Sequence, residues 1–186
     1  MYGEDGDDEM YTSIYGNNEL SGGKGDDLLL ASVPDDSYAR WFNLRRNLNE
    51  NHTQADAYGN HDLLGGPGDD FILGSMGNDD IYGGEGDDII YGSTFGATSY
   101  GNDYIEGGPG DDFIAGVDAT DGTDQVIKGG SGNDVIGAGT PMVGANPGEA
   151  LGFDFSINSN LGQDTDVFLY GDEGDDLLYG AGSLTA

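Results

Sequence analysis

The chain has 186 residues, and 36 aspartates and glutamates stand against five lysines and arginines, a formal net charge of -31. That field repels nucleic-acid phosphates and anionic membrane surfaces, and it opposes folding unless a cation, most simply a divalent one, neutralises it. Thirty-six glycines and no cysteine exclude disulfides and thiolate metal sites and call for many tight turns of positive φ.

A nine-residue unit recurs along the chain. It reads GEDGDDEMY from Gly3, a weaker SIYGNNELS from Ser13, and GGKGDDLLL from Gly22. A long insertion of about 31–55 follows. Within it 36–50 read as a helix, with Asp36 or Ser37 as N-cap and Tyr38, Trp41, Phe42, Arg45 and Leu48 at helical spacing. Arg40, Arg45 and Arg46 cluster there as charge compensation for the acidic repeats, and Asn51-His52-Thr53 matches a glycosylation sequon at near-chance frequency. The unit resumes weakly at Asp56 (DAYGNHDLL) and clearly at Gly65 (GGPGDDFIL), Gly74 (GSMGNDDIY) and Gly83 (GGEGDDIIY). It continues at Thr98 (TSYGNDYIE), Gly107 (GGPGDDFIA), weakly at Thr120 (TDGTDQVIK), and at Gly129 (GGSGNDVIG). A second long insertion, about 138–161, contains Phe153 and Phe155. A weak block from Gly162 (GQDTDVFLY) and a clear one from Gly171 (GDEGDDLLY) complete the series.

The eighth position of the thirteen blocks reads Met10, Leu20, Leu29, Leu63, Ile72, Ile81, Ile90, Ile105, Ile114, Ile127, Ile136, Leu169 and Leu178. A column that is aliphatic or Met throughout is the inward face of a short strand. Six residues of turn and three of strand make half a coil, and two blocks make a coil of about eighteen residues. Coils stack at about 4.8 Å, giving a rod of roughly 30 Å whose stability comes from neighbouring coils.

GGxGxDxUx, spelled in nine clear blocks, is the repeats-in-toxin signature. The chain resembles the RTX, hemolysin-type, calcium-binding nonapeptide-repeat family over most of its length outside the two insertions. The resemblance implies an all-β fold, a right-handed parallel β-roll (β-solenoid) of about thirteen half-coils in a single domain over 1–186. It also implies calcium held between turns, type I secretion and calcium-triggered folding. The residues agree independently: calcium takes six to eight oxygens from carboxylates and carbonyls. Stacked aspartates would repel without a cation between them.

Successive blocks alternate between two edges. The first-edge blocks place Asp8, Asp27, Asp70, Asp88, Asp112, Asp134 and Asp176 at position six, and seven stacked turns frame about six calcium sites. On the second edge only Asp79 and Asp103 hold that position cleanly. Asn18 and His61 replace it in two blocks, and Asp124, Asp164 and Asp166 are displaced candidates. A continuous calcium column on one edge and a partial set on the other are expected.

Every step from second edge to first is nine residues, so all insertions leave from one edge. After first-edge turns the outward positions are apolar (Leu28, Leu30, Phe71, Leu73, Ile89, Tyr91, Phe113, Val135, Leu177, Tyr179), a face that needs cover from the insertions or a partner. After second-edge turns they include Glu19, Ser21, Asp62, Asp80, Glu106 and Lys128, a mostly polar face.

No catalytic constellation stands out, because His52 and His61 lack any triad or HExxH setting and no carboxylate pair is singled out. No stretch has transmembrane length. The reading is a non-enzymatic, secreted or cell-surface calcium-binding roll with a structural or interaction role. Neither end of the repeat series shows a polar cap, so end-to-end stacking into a homo-oligomer or filament is expected. The alternatives are a calcium-folding module of a larger type I-secreted enzyme or toxin, and a glycan-binding adhesin module taking a polysaccharide partner.

Overall fold

A computed structural model describes residues 1–11, 16–31, 59–93, 101–116, 125–137 and 167–179. The expected helix over 36–50, the arginine cluster, the sequon, Phe153, Phe155, Asp124, Asp164 and Asp166 lie outside these residues.

Among the described residues the chain forms fourteen strands and no helix. They are β1 (Tyr2–Asp5), β2 (Glu9–Tyr11), β3 (Asn18–Lys24), β4 (Leu28–Leu30), β5 (His61–Pro67), β6 (Phe71–Leu73) and β7 (Asp80–Glu85), followed by β8 (Ile89–Tyr91), β9 (Tyr104–Pro109), β10 (Phe113–Ala115), β11 (Gln125–Ser131), β12 (Val135–Gly137), β13 (Val167–Glu173) and β14 (Leu177–Tyr179). Odd-numbered strands form one seven-stranded sheet and even-numbered strands a second, each strand pairing with the next of its own set. All pairings are parallel. This is the parallel β-roll that the nine-residue period requires.

Register follows the eighth position. Ile72 pairs with Ile90, Ile90 with Ile114, and Ile114 with Ile136 in the even sheet. Leu63, Ile81, Ile105, Ile127 and Leu169 do the same in the odd sheet. Eleven of the thirteen side chains, from Met10 to Ile136, are buried and form one core between the sheets. Each fully buried Leu or Ile contributes about 1.5–3 kcal/mol, so this thin column supplies most of the apolar stabilisation. Leu169 is half-buried and Leu178 is 40% exposed.

The two sheets differ in strand length. Even strands have the expected three residues, whereas β3, β5, β11 and β13 have seven. The extra length runs through the Gly-Gly pair of the next block. Because no residues are inserted on that path, those glycines also stack in register, as Gly66 on Gly84 and Gly108 on Gly130.

The outer face of the even sheet is apolar, as expected. Its ninth-position column (Leu30, Leu73, Tyr91, Ala115) is buried, with Leu28, Phe71, Ile89 and Phe113 packed against it. The outer face of the odd sheet is less polar than expected, for Leu64, Tyr82, Tyr104, Val126, Phe168 and Tyr170 stand among its acids. The phenols find polar partners there. The Tyr104 hydroxyl donates to Glu106 Oε2 at 2.6 Å and accepts from Lys128 Nζ at 2.9 Å.

Candidate metal centre

Each first-edge turn runs Gly-x-x-Gly-Asp/Asn-Asp between an odd strand and the following even strand. Position-two and position-four glycines take positive φ here, for example Gly66 (φ 124), Gly68 (φ 140), Gly84 (φ 130) and Gly86 (φ 134). An L side chain rarely adopts that backbone. A Cβ at Gly84 would also overlap the Gly66 carbonyl. Position one is a glycine for a different reason. A Cβ at Gly22, Gly65, Gly83, Gly107 or Gly129 would sit on the sixth-position carboxylate of its own turn. The missing side chains keep open a cradle bounded by that carboxylate and by glycine carbonyls of stacked turns.

The sixth-position aspartates form a ladder. The Asp8 amide donates to Asp27 Oδ1 at 2.8 Å, Asp27 to Asp70 at 2.7 Å, and Asp70 to Asp88 at 2.8 Å. Asp88 then donates to Asp112 at 2.8 Å, Asp112 to Asp134 at 2.9 Å, and Asp134 to Asp176 at 3.0 Å. One oxygen of each carboxylate is thereby fixed. The other is bare: Oδ2 of Asp8, Asp27, Asp70, Asp88, Asp112 and Asp134 is buried without a hydrogen-bond partner. A buried, unpaired carboxylate oxygen is costly.

A second ladder runs outside the first in the opposite sense. The Asp26 amide donates to Asp7 Oδ1, Asp69 to Asp26, Asp87 to Asp69, Asp111 to Asp87 and Asn133 to Asp111, at 2.8–3.1 Å. These fifth-position side chains are exposed, so water solvates their remaining oxygens.

Burial dominates the electrostatics of the inner column. It pushes the carboxyls of Asp70 and Asp112 up to about 7 and that of Asp88 to about 8, the ladder amide pulls back, and neighbouring aspartates add to the rise. Asp27 and Asp134 rise for the same reasons. A divalent cation beside these oxygens would invert that balance.

The second edge keeps the ladder and changes its chemistry. Its sixth positions are Asn18, His61, Asp79, Asp103, Gln125 and Val167, as the pairings of Asn18 with His61 and Gln125 with Val167 fix. The Asn18 amide donates to His61 Nδ1 at 3.2 Å, His61 to Asp79 Oδ1 at 2.8 Å, and Asp79 to Asp103 Oδ1 at 3.0 Å. A neutral ring thus replaces one carboxylate, and burial lowers the His61 pKa. Asp79 Oδ2 accepts the Ser75 amide at 2.6 Å, so its turn is sealed by the protein itself. Burial still lifts its carboxyl to about 7. Asp103 rises well above the usual range through burial and then the Asp79 carboxylate, and its Oδ2 has no partner. The outer ladder is neutral here: Asn60 donates to Asn17, Asn78 to Asn60 and Asn102 to Asn78.

Gln125 and Ser75 escaped the sequence reading. Counting back two residues from Ile127 gives Gln125, not Asp124, as the sixth position. Ser75 stands where first-edge blocks carry a second glycine. Among the described residues no three His, Cys, Asp or Glu side chains converge as a metal cluster. A cation held by these turns would therefore draw on one aspartate per turn and on backbone carbonyls. Bare hard oxygens in an open glycine cradle fit calcium rather than a nitrogen- or sulfur-seeking metal.

The model of a family described as RTX calcium-binding nonapeptide repeat (4 copies) matches residues 15–32, 62–95, 97–121, 118–140 and 157–183, more than half of the chain. No curated protein matches the chain.

Proposed function

From the premise that the chain belongs to the family of RTX calcium-binding nonapeptide repeats, we propose that its first edge binds a column of about six calcium ions. In this reading the ions convert an acidic chain into a rigid, non-catalytic roll that works outside the cytoplasm. The observation that carries it is the row of six buried, unpartnered Oδ2 atoms on Asp8, Asp27, Asp70, Asp88, Asp112 and Asp134. Asp27, Asp70, Asp88, Asp112 and Asp134 would hold ions from both sides, with Asp8 and Asp176 at the ends and glycine carbonyls as further donors. Calcium supplies positive charge to a column whose described turns carry one lysine, Lys24, paired with Asp5 at 3.2 Å. Asp79 and Asp103 are the second-edge ligands to weigh, and Asp124 is replaced in register by Gln125.

Repeats of this family are typical of secreted proteins, which supports an extracellular or cell-surface place of work. A structural or interaction role fits carboxylates that are committed to ladders. End-to-end association is a further reading: Leu178, a core-column residue of β14, is 40% exposed, and a stacked coil from a second copy would cover it. Light scattering in saturating calcium tests this association, and a strict monomer would refute it.

Equilibrium dialysis against labelled calcium tests the central reading. About six or more ions bound per chain at saturation are expected. One or none would overturn it.

A further inference from the structure

The outer face of the odd sheet is divided by charge. In its seventh-position column Glu19 pairs with Asp62, and Asp62 with Asp80, on adjacent strands. The column then turns aromatic and apolar through Tyr104, Val126 and Phe168. In the ninth-position column Leu64 pairs with Tyr82, Tyr82 with Glu106, Glu106 with Lys128 and Lys128 with Tyr170. Glu19, Asp62 and Asp80 are exposed. Like charges in register on neighbouring strands, about 4.8 Å apart, are destabilising. These three stand on the strand face rather than in the turns, and among the described residues the ion pair is Lys24 with Asp5.

Tyr82 stands where the two halves meet. Its ring lies 5.7 Å from that of Tyr104, tilted by 46°, and it is 37% exposed. Burial first, then Asp80, Tyr104, Glu106 and Asp62, raises the pKa of its phenol, so three carboxylates bear on one ring. The neighbouring ring shows what this face accepts. Lys128 Nζ sits 5.1 Å from the Tyr104 centroid and donates to its hydroxyl, which donates in turn to Glu106. A cation over an aromatic face with a carboxylate beside it is therefore already built into the sheet. Tyr82 repeats the ring and the carboxylates without the cation, since Lys24, the other lysine among the described residues, is taken by Asp5.

We propose that the Tyr82 face of the odd sheet, rimmed by Glu19, Asp62 and Asp80, docks a lysine- or arginine-rich segment of a partner protein. The carboxylates take the ammonium or guanidinium heads, the Tyr82 ring takes one head over its face, and Leu64, 36% exposed, takes the aliphatic stem. Charge selects this class of partner. A second copy brings the same net charge of -31, and nucleic acid and anionic membranes are repelled likewise. A neutral sugar would stack on Tyr82 but would leave the acidic column unmatched. The site supplies a partner for the interaction role proposed for the roll, and rests on that reading for a chain folded in calcium.

Isothermal titration calorimetry of the whole chain in saturating calcium, with an oligoarginine peptide as the probe, tests it. Tyr82→Ala should weaken binding about fivefold, the scale of one cation–π contact. Tyr82→Phe should keep the affinity, because the ring face and not the hydroxyl is used. Asp62→Asn with Asp80→Asn should weaken binding about tenfold, the scale of two surface ion pairs. Asp26→Asn with Asp69→Asn removes the same charge from the outer ladder of the first edge, where Asn133 already accepts the Asp175 amide, and should change binding less than about twofold. Equal weakening in the two double variants would overturn the site, since the peptide would then sense only overall charge. So would unweakened binding in Tyr82→Ala, or a neutral glucan oligosaccharide that binds where the peptide does not. Circular dichroism in the same buffer separates the two readings. A chain without β signal in calcium fails the calcium reading, whereas a folded chain that ignores the peptide fails this one alone.

Discussion

On the first edge, six of the seven sixth-position aspartates keep one buried oxygen bare. On the second edge the same position holds Asn18, His61, Asp79, Asp103, Gln125 and Val167. The amide ladder is common to both edges, so it is a property of the coil. What differs is how the buried charge is met. The first edge gathers carboxylates faster than its own donors can satisfy them. The second replaces them with two amides, an imidazole and a valine, seals Asp79 with Ser75 and leaves Asp103 Oδ2 bare. The outer ladder repeats the contrast, with Asp7, Asp26, Asp69, Asp87 and Asp111 on one edge and Asn17, Asn60, Asn78 and Asn102 on the other. One edge leaves six carboxylate oxygens bare, and the other leaves only Asp103 Oδ2 among carboxylates, alongside His61 Nε2 and Ser93 Oγ as buried atoms without a partner among the described residues.

The largest effect expected to separate calcium from charge alone is that of pH on the calcium-free chain. Folding lifts Asp70, Asp79, Asp88 and Asp112 from 3.8 to about 7 or 8. A raised folded-state pKa contributes stability that is complete below about 4 and is lost as pH rises through 7 to 8. In chelator, β signal should therefore grow on acidification from pH 8 to pH 4. In calcium the trend should reverse, since protons compete for the same oxygens, and the calcium midpoint should rise below about pH 7. Circular dichroism at several pH values, with and without calcium, reads both.

Next comes a paired substitution. Asp88→Asn removes a charge from the middle of the first-edge column and should cost about 3–5 kcal/mol in calcium, as breaking a buried ion pair does. Asp79→Asn should cost about 1 kcal/mol, the scale of a weakened hydrogen bond. Thermal melts in saturating calcium compare them, and equal losses would erase the distinction between edges.

Much of this was legible in the sequence. The eighth-position column from Met10 to Leu178 fixed the register, and with it the parallel roll, the core and the first-edge aspartates. The second edge was harder to read because its solutions are individual. Ser75 sealing Asp79 depends on a turn geometry that position counting does not contain, and Gln125 was hidden by the adjacent Asp124. The longer odd strands come from glycine stacking, which the three-residue strand signal does not carry.

Smaller effects probe the first-edge cradle. Gly84→Ala would drive a Cβ into the Gly66 carbonyl at a positive φ and should destabilise by about 1–3 kcal/mol, the range for overpacking. Urea unfolding in calcium measures it. The smallest effect has the opposite sign. Asp172 holds position two of the last first-edge turn at φ 68, opposite Gly130. Asp172→Gly should relieve left-handed strain of about 1 kcal/mol, partly offset by the chain entropy that glycine adds, and so raise the thermal midpoint slightly.

The most direct test is a calcium titration from a chelated start at neutral pH, followed by far-ultraviolet circular dichroism. A cooperative gain of β signal is expected as calcium meets the bare oxygens of the Asp8 to Asp134 column. A β-rich spectrum that persists unchanged in excess chelator would contradict the account, because the first edge would then hold its buried carboxylates without metal.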